Sequence, residues 1–111
     1  MNGWIAVDLD GTLAEYDRWR GPGHIGPPIA PMAQRVREWL REGQEVRLFT
    51  ARWSDPAQRE EFAAAWAAWS QDHLGAVLPV TCEKDFACRQ IWDDRAVRVV
   101  DGWPCCPRRS A

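Results

Sequence analysis

The chain has 111 residues, a length that favours one compact domain with a single modest core and leaves no room for a second folded domain. Hydrophobic residues make up 46% and charged residues 27%, which excludes an intrinsically disordered chain. The formal net charge of −2 supplies no basic field for bulk binding of nucleic acid. No apolar run approaches the roughly eighteen residues of a membrane span, and the N-terminus lacks a secretory pattern, so we expect a cytoplasmic protein with no membrane partner.

The first predicted element is a buried strand, because residues 4–7 ("WIAV") form a continuous apolar run directly before two acids. The stretch from Ala14 to Ala30 is polar and rich in glycine and proline. Loops of this length in compact domains are usually functional or disordered. We therefore interpret residues 14–30 as a flap beside the site that Asp8 and Asp10 form.

A helix is predicted next, because Pro31 suits a first helical turn and Gly43 a helix end. The apolar side chains on its single face are Met32, Val36, Trp39 and Leu40. Residues 45–50 ("EVRLFT") then read as the second strand.

The second helix is marked by Asp55 as N-cap and Pro56 at the first helical position, and it ends near Gly75. Its stripe consists of Phe62, Trp66, Trp69 and His73. Most of the eight tryptophans of the chain are expected in the core or half-buried.

Three shorter strands complete the prediction: residues 76–80, in which Pro79 favours a sheet edge, residues 89–94 ("RQIWDD"), and residues 97–100. Strands that alternate with helices predict an α/β fold, a three-layer sandwich with a central parallel sheet and strand one in the middle. A single domain is expected over residues 1–101, followed by a flexible tail, residues 102–111.

The four cysteines, Cys82, Cys88, Cys105 and Cys106, are predicted to be reduced thiols, since the core needs no disulfides. A zinc site built from all four is the alternative, although their spacings match no common zinc motif.

Polar side chains gather where the predicted strands end. They are Asp8 and Asp10 after strand one, Thr50 after strand two, Asp93 and Asp94 after strand four, and Lys84 in the turn before it. Ligands of parallel sheets bind at the carboxyl ends of the strands. Clustered carboxylates require a compensating cation, and oxygen ligands select Mg²⁺. Together with a lysine and a hydroxyl, such a site suits a phosphoryl group.

The first two acids are suited to one substrate, because residues i and i+2 of an extended strand point to the same side. Gly11 then allows the chain to turn with its amide exposed, and free amides at such a turn can hold a phosphate oxygen.

Four segments resemble, in the right order, the four motifs of the haloacid dehalogenase-like superfamily of phosphohydrolases. They are "DLDGT" at residues 8–12, "LFTAR" at 48–52, "CEKDF" at 82–86 and "IWDDRA" at 91–96. The resemblance covers residues 4 to about 100, and "DDR" is similar to the pattern of 5′-deoxynucleotidases and of the phosphatase half of polynucleotide kinases.

The resemblance implies a phosphatase in which Asp8 is the nucleophile and Asp10 the general acid/base. Thr50 would hydrogen-bond the phosphoryl oxygens, and Lys84 would balance the charge of Asp8 and of the phosphorylated intermediate. The phosphate-binding residues would be Asp10, Gly11, Thr50, Ala51 and Lys84.

By the same resemblance, Mg²⁺ would be held by the Asp8 side chain, the Asp10 carbonyl and one acid of the pair Asp93 and Asp94. Analogy with other members that carry "DDR" favours Asp94 as the direct ligand over Asp93. Arg52 and Arg95 follow motif residues and are interpreted either as substrate contacts or as partners of nearby acids.

Members of this superfamily usually carry a cap domain that selects the substrate, and the gaps between these motifs are too short for one. The sequence therefore predicts a capless member with an open site. Its substrate would be a small phosphorylated molecule or the phosphate end of a nucleic acid, and the open site is compatible with a homodimer.

Two alternatives to hydrolysis stay open. One is a pseudo-enzyme that binds a phosphorylated ligand without turnover. The other is a phosphorylation module of the receiver type, which also uses a parallel sheet, magnesium, an acidic pair, a threonine and a lysine. The receiver arrangement needs its phosphorylated aspartate after a strand from the middle of the chain, where this sequence has Thr50 or the strand with Pro79 and no acid. The candidate nucleophile, Asp8, follows the first strand instead.

Overall fold

A computed structural model describes residues 3–104, which form an α/β fold with a four-stranded parallel sheet in the order β3-β2-β1-β4. The strands are β1 (Trp4–Val7), β2 (Glu45–Phe49), β3 (Val80–Thr81) and β4 (Cys88–Trp92), and the helices are α1 (Ala30–Arg41) and α2 (Arg59–Leu74). As its apolar run predicts, β1 pairs with β2 on one side and β4 on the other, and all four of its residues are buried. No helix in this range is long and apolar enough to cross a membrane.

Helix α1 confirms the prediction from the apolar spacing. Pro31 lies in its first turn, and Ala33, Val36 and Trp39 are its buried residues. Gly43, just beyond the end of the helix, has a φ of +82°, a left-handed conformation that glycine adopts without steric cost.

Helix α2 begins slightly later than the sequence predicts. The carboxylate of Asp55 accepts a hydrogen bond from the N–H of Ala57 (3.0 Å), but the capped segment Pro56–Gln58 is a 3₁₀ turn that precedes the α-helix. The helix ends where expected, at Gly75, with a φ of +81°. Three residues of its stripe are buried, and Phe62 stacks on Trp66 and Trp66 on Trp69. The fourth, His73, is half-buried.

Both helices lie on the same face of the sheet. Alternate residues of the central strands, Ile5, Val7, Val46 and Leu48, share one hydrophobic core with side chains of α1 and α2, and the two helices also contact each other. Within residues 3–104 no helix covers the opposite face, so the expected third layer is not found in this part of the chain.

The opposite face is crossed instead by the connection between β3 and β4, residues 82–87. Trp4 points to this side, where its indole N–H donates to Asp85 (2.8 Å) and the guanidinium of Arg47 lies 4.3 Å from its ring. A loop therefore takes the position that a crossover helix would occupy in a doubly wound sheet.

Strand β3 is much shorter than the predicted strand over residues 76–80. The reason is a competing partner on α2, because the Ser70 hydroxyl donates to the carbonyl of Ala76 (2.5 Å) and accepts the N–H of Leu78 (3.1 Å). Only Val80 and Thr81 remain to pair with β2, and β3 lies at the sheet edge, as Pro79 predicts.

The predicted fifth strand does not join the main sheet. Val99–Val100 (β5) pairs with Trp103–Pro104 (β6) in a separate antiparallel hairpin. Its turn, Asp101 and Gly102, has φ values of +52° and +80°, the backbone that a two-residue Asp-Gly hairpin requires. The first residues of the predicted tail thus belong to the hairpin, whereas Cys105 and Cys106 lie outside the described residues. Cys82 and Cys88 are free thiols.

Candidate active site

The carboxyl ends of β1, β2 and β4 meet at a cavity of about 830 Å³. Nine of the sequence-predicted site residues line it: Asp8, Asp10, Gly11, Thr50, Ala51, Arg52, Asp93, Asp94 and Arg95. Parallel pairing of β1 with both neighbours explains this convergence, since each chain segment leaves the sheet at the same edge.

Three carboxylates form a cluster that could hold a metal ion. Asp8, Asp93 and Asp94 each offer an oxygen, and these oxygens lie within 4.8 Å of one another. Burial of the Asp8 carboxyl, and then the negative charge of Asp93, raise the pKa of Asp8 to about 7. The donor set consists of oxygen alone and its charge is uncompensated by any cation within the cluster, which fits a hard divalent cation.

Thr12 and Gly11 allow close contact between the turn after β1 and the turn after β4. The Thr12 hydroxyl lies 3.2 Å from Asp8 Oδ2 and 3.4 Å from Asp94 Oδ1, and it accepts the N–H of Asp94 (2.9 Å). Gly11 has a φ of +86°, and a Cβ at this position would lie 2.5 Å from Asp94 Oδ2. The role of Thr12 was missed at the sequence level, although its place directly after the Asp-Gly turn was the available signal.

Asp10 lines the cavity but is not part of the acidic cluster, and its carboxylate pairs with Arg52. The guanidinium donates to both carboxylate oxygens of Asp10, from Nε (2.9 Å) and from Nη2 (2.7 Å), and its Nη1 donates to the carbonyl of His24 (2.6 Å). Only 6% of the Arg52 side chain is exposed. Of the two sequence interpretations of Arg52, the structure shows the partner of a nearby acid.

Thr50 ends β2 and caps the 3₁₀ turn Ala51–Ser54. Its buried hydroxyl accepts the N–H of Arg52 (3.2 Å), so its own hydrogen remains available to an acceptor in the cavity. The position is compatible with the predicted contact to a phosphoryl oxygen.

Lys84 is the predicted site residue that the structure does not bring to the cavity. It is exposed in the connection between β3 and β4, beside Asp85, whose bond to Trp4 holds the connection against the opposite face of the sheet. Within residues 3–104, the cationic side chains that line the cavity are Arg52 and Arg95. Arg95 is exposed, and its backbone N–H donates to the carboxylate of Asp93 (2.7 Å).

The flap contributes side chains that the sequence prediction did not single out. Tyr16 and Trp19 line the same cavity as the acids, as do Gln58 and Cys82 from other segments. The guanidinium of Arg52 lies 5.1 Å from the Trp19 ring centroid. Two aromatic residues inside an otherwise polar flap were the signal available in the sequence.

The fold and the site together define an α/β protein with an acidic cluster, suited to a metal ion, at the carboxyl end of a parallel sheet. No family model, no curated protein and no solved structure matches the chain.

Proposed function

We propose that the protein is a Mg²⁺-dependent phosphomonoester hydrolase, a capless member of the haloacid dehalogenase-like superfamily. The observation that carries the proposal is the position of Asp8, a half-buried carboxylate after the central strand, clustered with Asp93 and Asp94 at the cavity. The three-layer sandwich of that superfamily is part of the proposal, and its third layer would need elements that residues 3–104 do not supply.

The Asp8 carboxylate is the nucleophile in the proposed reaction. One of its oxygens forms a bond to phosphorus while the ester P–O bond breaks, and the leaving oxygen takes the electron pair and a proton from Asp10. Asp10 then accepts a proton from water as the water oxygen attacks the aspartyl phosphate, which releases inorganic phosphate and restores Asp8. The Thr50 hydroxyl and the backbone at Gly11 and Ala51 hold the phosphoryl oxygens.

The Asp8 side chain, the Asp10 carbonyl and Asp94 would hold the Mg²⁺, with Asp93 behind Asp94. The ion supplies charge compensation for the carboxylates and the phosphoryl group. Among the described residues, Arg52 and Arg95 are the cationic side chains that line the cavity, and Lys84 takes the role implied for it only if the connection 82–87 moves.

Binding without turnover is the second candidate function, and one observation favours it. Both oxygens of Asp10 accept hydrogen bonds from Arg52, so neither oxygen is free to serve a leaving group until the pair opens. If the pair never opens, the protein is a phospho-ligand-binding pseudo-enzyme, or a receiver-like module whose phosphorylated Asp8 persists.

The test is phosphate release from p-nitrophenyl phosphate by purified protein with MgCl₂. We expect release that Asp8→Asn and chelation abolish, and that Asp72→Asn, a change in an exposed acid on α2, leaves intact. Absence of release by the wild type contradicts the hydrolase. Intact mass after incubation with acetyl phosphate then separates the alternatives, since a persistent phosphoryl adduct indicates a receiver-like module and none indicates a binding protein.

A further inference from the structure

Two aromatic side chains of the flap are exposed inside the catalytic cavity rather than packed in the core. Tyr16 is 44% and Trp19 48% exposed, and both line the cavity that holds Asp8. Large aromatic rings gain much free energy from burial, so two of them left exposed in a cavity indicate a surface that a ligand covers.

The guanidinium of Arg52 lies over the ring of Trp19. The Arg52 guanidinium lies 5.1 Å from the ring centroid, and Arg52 is itself anchored by Asp10 and by the carbonyl of His24. The indole therefore contacts a cation whose position is fixed, while about half of the surface of Trp19 remains exposed.

The arrangement of the cavity indicates what covers this ring. The acidic cluster, Thr50 and the flap aromatics all line this one cavity, and the Arg52 guanidinium, which pairs with Asp10, lies over the Trp19 ring. A volume of about 830 Å³ is far larger than a phosphate group needs and is in the range of pockets for whole small molecules. A ligand that spans it has a phosphate, a polar spacer and a planar ring.

A nucleotide has this order of groups, because its sugar separates the phosphate from the base. An aryl phosphate instead places its ring one oxygen from phosphorus, beside the acids, and a sugar phosphate has no aromatic ring to stack on Trp19 or Tyr16.

We propose that Trp19, together with Tyr16, forms a stacking platform for the base of a nucleotide whose phosphate lies at Asp8. This inference rests on the proposed function and selects one substrate class for it.

The experiment compares adenosine 5′-monophosphate with ribose 5-phosphate, which has the same sugar and phosphate but a hydroxyl group in place of the base. Wild-type protein with Mg²⁺ is expected to show a kcat/KM at least about tenfold higher for the nucleotide, from the strength of base–aromatic stacking. Trp19→Ala should bring this ratio close to one, and Trp19→Phe should keep most of it. Trp103→Ala, a change in an exposed tryptophan of the hairpin, is the control and should leave the ratio unchanged.

Calorimetric binding of the same two compounds to Asp8→Asn separates this inference from the hydrolase. If neither compound is hydrolysed but the nucleotide binds at least about tenfold more tightly, and Trp19→Ala removes the difference, the platform stands and the hydrolase fails. If both compounds are hydrolysed with equal kcat/KM, the hydrolase stands and the platform is overturned. Equal binding of the two compounds, or no binding of either, also overturns the platform.

Discussion

Arg52 and Asp10, 42 residues apart in the chain, form a two-pronged ion pair in which the guanidinium donates to both carboxylate oxygens. The pair joins the turn after β2 to the turn after β1, and the third bond of Arg52, to the His24 carbonyl, adds the flap. One side chain thus holds three segments of the cavity wall together.

Removal of Arg52 should destabilise the fold, because it leaves the partly buried Asp10 carboxylate without its partner and removes a buried side chain. For Arg52→Ala we expect a loss of about 2–4 kcal/mol in the free energy of unfolding, measured by urea denaturation. Arg52→Lys should lose less, because lysine keeps the positive charge but cannot donate two parallel hydrogen bonds to Asp10. The matched control is Arg20→Ala, which breaks the exposed pair with Asp17 and should change stability little. Equal losses for the two alanine variants would contradict the assigned role.

The raised pKa of Asp8 predicts a specific pH dependence in metal-free protein. The folded state raises the pKa from 3.8 to about 7, so it holds the Asp8 proton more tightly than the unfolded chain does. The associated stability is therefore full below about pH 4 and is lost as the pH rises through about 7. Asp8→Asn should be more stable than wild type at about pH 8 and not at about pH 4, and MgCl₂ should stabilise the wild type at the higher pH.

Thermal denaturation of both proteins across this pH range, in buffer with a chelator, measures the effect. The difference between wild type and Asp8→Asn is the informative quantity, since the other titrating groups largely cancel. A difference that stays constant with pH would show that Asp8 titrates normally in the folded state.

Gly11→Ala should damage the metal site through Asp94. A Cβ at position 11 would lie 2.5 Å from Asp94 Oδ2, which forces that carboxylate away, and the left-handed backbone adds about 1–2 kcal/mol of strain. Gly43→Ala is the control, because Gly43 has a similar φ (+82°) and a Cβ added there would have no atom within 4 Å. Both variants should lose stability, but only Gly11→Ala should also lose Mg²⁺-induced stabilisation.

Within the acidic cluster, Asp94 is expected to matter more for magnesium than Asp93. Asp94 is tied to the Thr12 hydroxyl and thereby to Asp8, whereas the Asp93 carboxylate accepts the N–H of Arg95. Asp94→Ala should therefore raise the MgCl₂ concentration needed for half-maximal thermal stabilisation more than Asp93→Ala does. Equal shifts would show that the two acids contribute equally to the site.

The local elements of this protein were determined by its sequence. The continuous apolar run 4–7 is typical of a buried strand. The apolar spacing in α1 and the aromatic stripe of α2 have the helical period, and a glycine follows each helix. The sequence also determined which acids and which threonine follow each strand. A parallel sheet brings the carboxyl ends of its strands to one edge, so these side chains meet at the cavity.

Tertiary contacts decided the rest, because they depend on side chains that meet only after folding. Ser70 on α2 diverted residues 76–78 from the sheet, Asp85 and Trp4 placed the Lys84 loop on the opposite face, and no local pattern predicts such pairings. The pairing of Arg52 with Asp10 also depends on tertiary contacts. From the sequence, Arg52 could contact either a substrate or a nearby acid. The folded chain brings the turns after β1 and β2 together, and Arg52 therefore pairs with Asp10.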